Sequence, residues 1–209
     1  MQAAIFFLVI FIFSVVIHEI AHGYVAEMYG DPTARLAGRL TLNPISHIDP
    51  MGSVILPAIM LIGSTALGHP VVFGWAKPVP YNPYNLRNFK WGTILVGLAG
   101  VLANLMLAII FGLMLRYHAV LGIVPGPFSE IISTIVFTNI ILAVFNLIPF
   151  PPLDGAKVLF ALLPYRFQQV HDYLEHNWIF FIIFVFFFAQ YIIAPVASLV
   201  FWAITGVSL

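Results

Sequence analysis

The chain has 209 residues, of which 62% are hydrophobic and 8% charged, with 20 Phe and a mean hydropathy of +1.04. A water-soluble domain of this size does not carry so much apolar surface, so the composition specifies an integral membrane protein partnered by the lipid bilayer. Eight basic and eight acidic residues leave no basic face for nucleic acid, and with no cysteine any bound metal must use histidine and carboxylate.

The first apolar run, Ala3 to Val25, has no basic residue ahead of it, the first being Arg35, so it reads as a retained membrane helix and not as a cleaved signal peptide. It is expected to end at about Tyr29, before the glycine and proline of Gly30-Asp31-Pro32. Inside it lies His18-Glu19-Ile20-Ala21-His22. On a helix the two histidines are four apart and share a face, so both imidazoles can hold one Zn2+ while Glu19 reaches the attacking water. At this chain's own histidine and glutamate frequencies, the pattern arises by chance about 0.004 times per chain. At 1.5 Å per residue His18 is ~22 Å from Ala3, roughly a third of the way into a ~30 Å hydrocarbon core from the helix's C-terminal end. A charge at that depth costs roughly 2.5 kcal/mol or more, which marks the cluster as functional.

Residues Asp31 to Pro50 are polar, and the alternation from Ala34 to Thr41 predicts a short strand. Asn43-Pro44 and Asp49-Pro50 mark turns. The apolar stretch Met51 to Leu67 is interrupted by Gly52, Pro57 and Gly63 and is barely long enough to span. Phe73 to Pro80 is expected to be extended, because Pro78 and Pro80 cannot donate to a ladder. Long helices are predicted over about 91–115 and 130–148, and residues 156–176 suit an interfacial helix. The apolar end, 178–207, would be ~45 Å as one helix, too long for a straight span, and Pro195 is expected to kink or break it. Trp75, Trp91 and Trp178 fall where an interfacial belt would. The fold class is therefore an all-α membrane protein. It is a single polytopic helical bundle over 1–209 with a three-helix core (about 3–29, 91–115 and 130–148), a re-entrant element at about 51–80 and short extended stretches.

Basic residues set the expected topology. If Met51 to Leu67 crossed fully, three (Arg35, Arg39, Arg116) would face five (Lys77, Arg87, Lys90, Lys157, Arg166). If it is re-entrant, only Arg116 lies opposite the other seven, a strong positive-inside signal. This places the N-terminus of the first helix outside the cell membrane and the histidine motif toward the cytoplasm.

A catalytic zinc usually takes three protein ligands and leaves one position open. The candidates for the third are Glu27, Asp31, Asp49, Glu130, Asp154, Asp172 and Glu175, with His47, His69, His118, His171 and His176. Most lie in polar loops, where a solvated side chain is the ordinary outcome. Asp154 follows Pro151-Pro152 at the end of a membrane segment and precedes Gly155, which holds its backbone outside regular helix and its carboxylate away from bulk water. Two roles stay open for it, the third ligand or the N-cap of a helix starting at Gly155 or Ala156.

Three stretches together resemble the site-2 protease family of intramembrane zinc metalloproteases: His18 to His22, Gly97 to Asn104, and Asn146 through Leu153-Asp154-Gly155. The resemblance continues through Leu42-Asn43-Pro44, His47 to Pro50 and Gly74 to Pro80, covering most of residues 10–165. It implies hydrolysis of peptide bonds within transmembrane segments of membrane-tethered substrates, with one Zn2+ per chain held by His18, His22 and Asp154. It implies Glu19 as the catalytic glutamate and Asn146 as a residue that positions substrate or stabilises the oxyanion. Asn104 is either a substrate contact or the maker of an interhelical hydrogen bond. The chain departs from relatives that carry a PDZ-like insertion or a regulatory nucleotide-binding tail, and it has Gly100-Val101 where Gly-Pro is frequent. It reads as a minimal member.

The rival readings are an ion or metal transporter passing its cargo through His18, His22 and Asp154, and an inactive relative that binds helices. Glu19 separates the first, since a conduit has no use for a non-ligand glutamate beside the first histidine. The intact set of glutamate and three ligands separates the second.

Overall fold

The computed structural model describes residues 2–55, 76–118, 120, 122, 126–177, 179–185, 187 and 190–207, and every regular element among them is helical. In chain order these are α1 (Gln2–Met28), α2 (Thr33–Leu36), α3 (Phe89–Arg116), α4 (Pro127–Leu147), α5 (Asp154–Leu162), α6 (Gln168–His176), α7 (Ile179–Phe184) and α8 (Gln190–Thr205), with short 3-10 turns and one π-helical segment, Pro50–Ile55, between. α1, α3 and α4 are long and apolar enough to cross a membrane. This is the all-α polytopic architecture expected from the hydropathy.

α3 is the central helix. The Asn88 side chain accepts from the Trp91 N–H at its start (3.0 Å), satisfying one of the donors a helix leaves unpaired. Gly92, Val96, Gly100, Asn104, Ala108 and Gly112 recur every four residues and are all buried. Four-residue spacing puts them on one face, and small residues there let neighbouring helices approach closely, which in lipid is the main source of packing energy. At the far end Ala108 joins Ile132, Val136, Ile140, Ala197 and Phe201 in a cluster that binds α3, α4 and α8 together. Arg116 closes α3 there by donating to the carbonyls of Ala203 (2.9 Å) and Ile204 (3.3 Å), the last turn of α8.

Several local expectations are corrected. The strand predicted over Ala34 to Thr41 is a helical turn followed by a left-handed stop. Leu36 and Ala37 donate to Pro32 and Thr33, Arg39 N–H reaches back to the Ala34 carbonyl, and Gly38 sits at φ +65°. The apparent alternation comes from a four-residue helix whose Arg35 turns out to pair with Glu27 on α1. Asp154, expected outside regular helix, is the first residue of α5. The single interfacial helix over 156–176 is two helices, α5 and α6, parted at Pro164. Pro195 lies inside α8 and does not break it, and residues 186, 188 and 189 of the C-terminal segment lie outside the described residues. Most of the re-entrant element, residues 56–75, and Trp178 lie outside the described residues.

Of the stretch 73–80, residues 73–75 lie outside the described residues, and Lys77 to Pro80 is irregular with no free N–H. Lys77 donates to the His47 carbonyl (2.9 Å), Val79 to the Glu19 carboxylate (2.9 Å), and Pro78 and Pro80 have no N–H to give. This stretch can offer an added strand only carbonyl oxygens.

The turn after α1 is built on Asp31, a fully buried residue. Its carboxylate accepts from the Thr33 N–H and hydroxyl, the Asn82 N–H (2.6 Å) and the Asn85 amide (2.8 Å). It thereby ties the end of α1 to the loop ahead of α3. Burial pushes the carboxyl up, but these hydrogen bonds to the charged form more than reverse it and hold Asp31 below its ordinary value. A carboxylate depressed in the folded state contributes stability that is complete above the unfolded pKa and is lost as pH falls through the folded one. Asp31→Asn, which turns an amide NH2 onto these donors, is expected to destabilise the protein by about 2 kcal/mol at neutral pH. In thermal unfolding in detergent the gap from wild type should close as pH drops below about 4. Equal melting temperatures at neutral pH would contradict it.

Candidate metal centre

The site lies where α1, α3 and α5 meet. His18 and His22 project from one face of α1, and Asp154 is delivered by the start of α5, which packs on α3. α5 can come this near because Gly155 lies against the Leu147 and Ile148 carbonyls, where a Cβ would collide. All three side chains are buried, at 5 to 6% exposure.

Their geometry is a triangle of acceptor atoms. His18 Nε2 stands 3.0 Å and His22 Nε2 3.1 Å from Asp154 Oδ2, and the two Nε2 atoms are 3.1 Å apart. The other ring nitrogens decide what these atoms are. His22 Nδ1 lies 2.6 Å from the Val96 carbonyl, which can only accept, so Nδ1 carries a proton and the neutral ring keeps its lone pair on Nε2. His18 Nδ1 lies 2.6 Å from Asn104 Oδ1 with the same consequence. With both imidazoles neutral, two nitrogen lone pairs and a carboxylate oxygen converge on one point, an arrangement that a cation stabilises. Ligands at the ~2.0–2.1 Å of zinc sites stand about 3.3 Å apart in a tetrahedron, close to the edges of this triangle. The donor set and its spacing fit Zn2+.

The second carboxylate oxygen of Asp154, Oδ1, accepts from Lys157 Nζ (2.9 Å), one turn along α5. Burial pushes the Lys157 ammonium down, but the Asp154 charge beside it outweighs this and raises it above its ordinary value, so it stays charged. The triangle opens on a cleft of about 140 Å³ walled by Glu19, Val79, Tyr81, Asn146 and Lys157. Glu19 Oε2 accepts from the Val79 N–H, which fixes one carboxylate oxygen. Asn146 lines the cleft with its Nδ2 on the Leu142 carbonyl (2.9 Å). Asn104 is fully buried behind His18, with its amide taken up by His18, Asn139 and Ser14.

Among the described residues the other histidines are elsewhere, and His69 lies outside the described residues. His47 is buried in the loop, with Nε2 2.9 Å from the Thr41 carbonyl, and His118 caps the end of α3. His171 sits near Asp172 and Glu175 on its own helix α6, whose carboxylates are exposed. Lys157, Val79, the Val96 carbonyl and Asn139 did not stand out in the sequence. Two left a signal: a lysine three residues after a buried aspartate, and an asparagine inside the apolar run of α4. The two backbone groups left none.

The profile of peptidase family M50 matches residues 122–190. YwhC of Bacillus subtilis (strain 168), a candidate zinc metalloprotease, is 36% identical over 196 residues, covering 91% of this chain and 81% of its own. Rip2 of Mycolicibacterium smegmatis, also a candidate zinc metalloprotease, is 33% identical over 162 residues, 74% of this chain and 57% of its own. The zinc metalloprotease MJ0392 of Methanocaldococcus jannaschii is 27% identical over 164 residues, 78% of this chain and 36% of its own. No solved structure matches the chain significantly.

The close approach of α3 to the site gives a test of its geometry. A Cβ on Gly100 would stand 2.5 to 2.6 Å from the ring atoms of His18, so the imidazole would have to leave the triangle. Gly100→Ala is expected to weaken zinc binding at least roughly tenfold while leaving helix content by circular dichroism unchanged. Wild-type zinc affinity in this variant would contradict the placement of His18.

Proposed function

The chain belongs to peptidase family M50, the site-2 protease family, and on that premise we propose that it is a zinc endopeptidase cutting peptide bonds inside the transmembrane segments of other membrane proteins. The observation that carries this reading is the convergence of His18 Nε2, His22 Nε2 and Asp154 Oδ2 beside a cleft that also holds Glu19.

In this reading His18, His22 and Asp154 hold one Zn2+ per chain. When bound, zinc supplies Lewis acidity, polarising a carbonyl oxygen and bringing the pKa of water toward about 7. Glu19 is not one of the three converging ligands. It takes a proton from the attacking water and delivers it to the leaving amine. The Val79 N–H holds one of its oxygens and so leaves the other for this transfer. The Asn146 amide, on the cleft wall, donates to the oxyanion that develops on the scissile carbonyl or positions the substrate backbone. Asn104 acts on the site through His18, not through substrate.

Substrates are transmembrane helices, whose carbonyls are engaged in their own hydrogen bonds. A segment must unwind to expose its scissile bond, so glycine or proline in the substrate favours cutting. Backbone carbonyls of residues 78–80, beside the cleft, are the groups this wall offers to an unwound segment. The seven-to-one split of basic residues orients α1 with its N-terminus outside and the site toward the cytoplasmic side.

The test is cleavage of a membrane-embedded substrate segment by the purified protein in liposomes. Glu19→Gln is expected to lower the cleavage rate by about 10²- to 10⁴-fold while the protein keeps its zinc. A variant that cleaves at the wild-type rate would remove Glu19 from the mechanism and the protease reading with it.

A further inference from the structure

Behind His18 three helices share a chain of hydrogen bonds that the reaction itself does not use. Asn104 on α3 is fully buried, as is Asn139 on α4, and Ser14 on α1 is 4% exposed. Asn139 Nδ2 donates to the Ile135 carbonyl (2.8 Å) and to Ser14 Oγ (3.0 Å). Asn104 Nδ2 donates to Asn139 Oδ1 (2.8 Å) and to the Ser14 carbonyl (3.3 Å). Asn104 Oδ1 meets His18 Nδ1 at 2.6 Å.

The polarity of this chain is fixed from its far end. A backbone carbonyl can only accept, so the group of Asn139 facing the Ile135 carbonyl must be its NH2, and its oxygen is left for Asn104. Asn104 must then turn its own NH2 to Asn139 and the Ser14 carbonyl, and its oxygen to His18. That oxygen takes a proton from His18 Nδ1. The alternative is specific: Asp154 Oδ2 lies 3.0 Å from His18 Nε2 and competes for the same single proton. A proton won by Asp154 would occupy the lone pair that a metal needs.

We propose that Asn139 and Ser14 are positioning residues of the metal centre, which act through Asn104 to hold His18 as the tautomer with its proton on Nδ1 and its Nε2 lone pair toward the cleft. This rests on the reading of His18 as a zinc ligand. Neither Asn139 nor Ser14 touches the site, and their effect passes through the orientation of one amide. Outer partners of metal-ligating histidines typically change metal affinity by roughly 10- to 100-fold when removed. Here one further bond separates Asn139 from the ring.

The experiment measures zinc affinity of the full chain in detergent, by competition with a chromophoric chelator, alongside the melting temperature of the metal-free protein and 15N spectra of labelled histidine. Asn104→Leu is expected to weaken zinc binding by about 10- to 100-fold and Asn139→Leu by about 10-fold. In both, the His18 signal should move toward the Nε2-protonated tautomer. Because Asn139 acts through Asn104, adding Asn139→Leu to Asn104→Leu should weaken zinc no further. Ser14→Ala, which deletes one hydroxyl from a helix, should weaken zinc by about threefold and decides the matter if the leucine variants do not fold. Wild-type zinc affinity and His18 tautomer in Asn139→Leu, with only the melting temperature lowered, would show a role in helix packing alone and overturn the proposal. A wild-type chain that binds no zinc would overturn the metal reading beneath it, an outcome distinct from zinc binding that the variants leave unchanged.

Discussion

Three electron pairs aimed at one point dominate this molecule. His18 Nε2, His22 Nε2 and Asp154 Oδ2 stand 3.0 to 3.1 Å apart in a buried place, with the ring protons drawn off to the other side by Asn104 and Val96. Such a triangle is unfavourable by itself and favourable around a cation, so the fold around it is built to keep side chains where they would not otherwise stay. Burial strengthens both tendencies, because a low dielectric magnifies repulsion between like partial charges and attraction to a metal alike.

The central helix shows how that placement is held. The buried row on α3 sets a glycine against the His18 ring, an asparagine one turn on to fix that ring, and a carbonyl, that of Val96, to fix His22. α5 then brings Asp154 in from the third side, with Lys157 holding its outer oxygen. Packing and polarity come from the same face: small residues let the helices close, and the few polar groups on that face are all matched to partners. In lipid an unmatched amide is costly, which is why Asn104, Asn139 and Ser14 form a closed set and not scattered contacts.

Much of this was legible from the sequence, and the reason is locality. The His18 to His22 pattern needs only helical spacing, the long spans need only hydropathy, and the stretch ending at Leu153-Asp154-Gly155 declares itself by its prolines and glycine. What was not legible depended on groups without a sequence identity or on a coincidence of spacing. The Val79 N–H on Glu19 and the Val96 carbonyl on His22 are backbone atoms that any residue would supply. The stretch from Ala34 to Thr41 alternates like a strand, but Asp31 takes both the N–H and the hydroxyl of Thr33 and turns the chain into a helix before alternation can matter. Asn139 was open to inference, since an amide in the middle of an apolar span asks for a partner. The partner, Asn104, could be named only once α3 and α4 were side by side.

The most direct measurement is the zinc content of the purified protein in detergent, wild type beside His22→Ala and Asp154→Ala. The account predicts about one zinc per wild-type chain and a large loss in both variants, because a site with three protein ligands does not survive the removal of one. Full retention in Asp154→Ala would contradict it, since the metal would then have to be held without the ligand that α5 is folded to deliver.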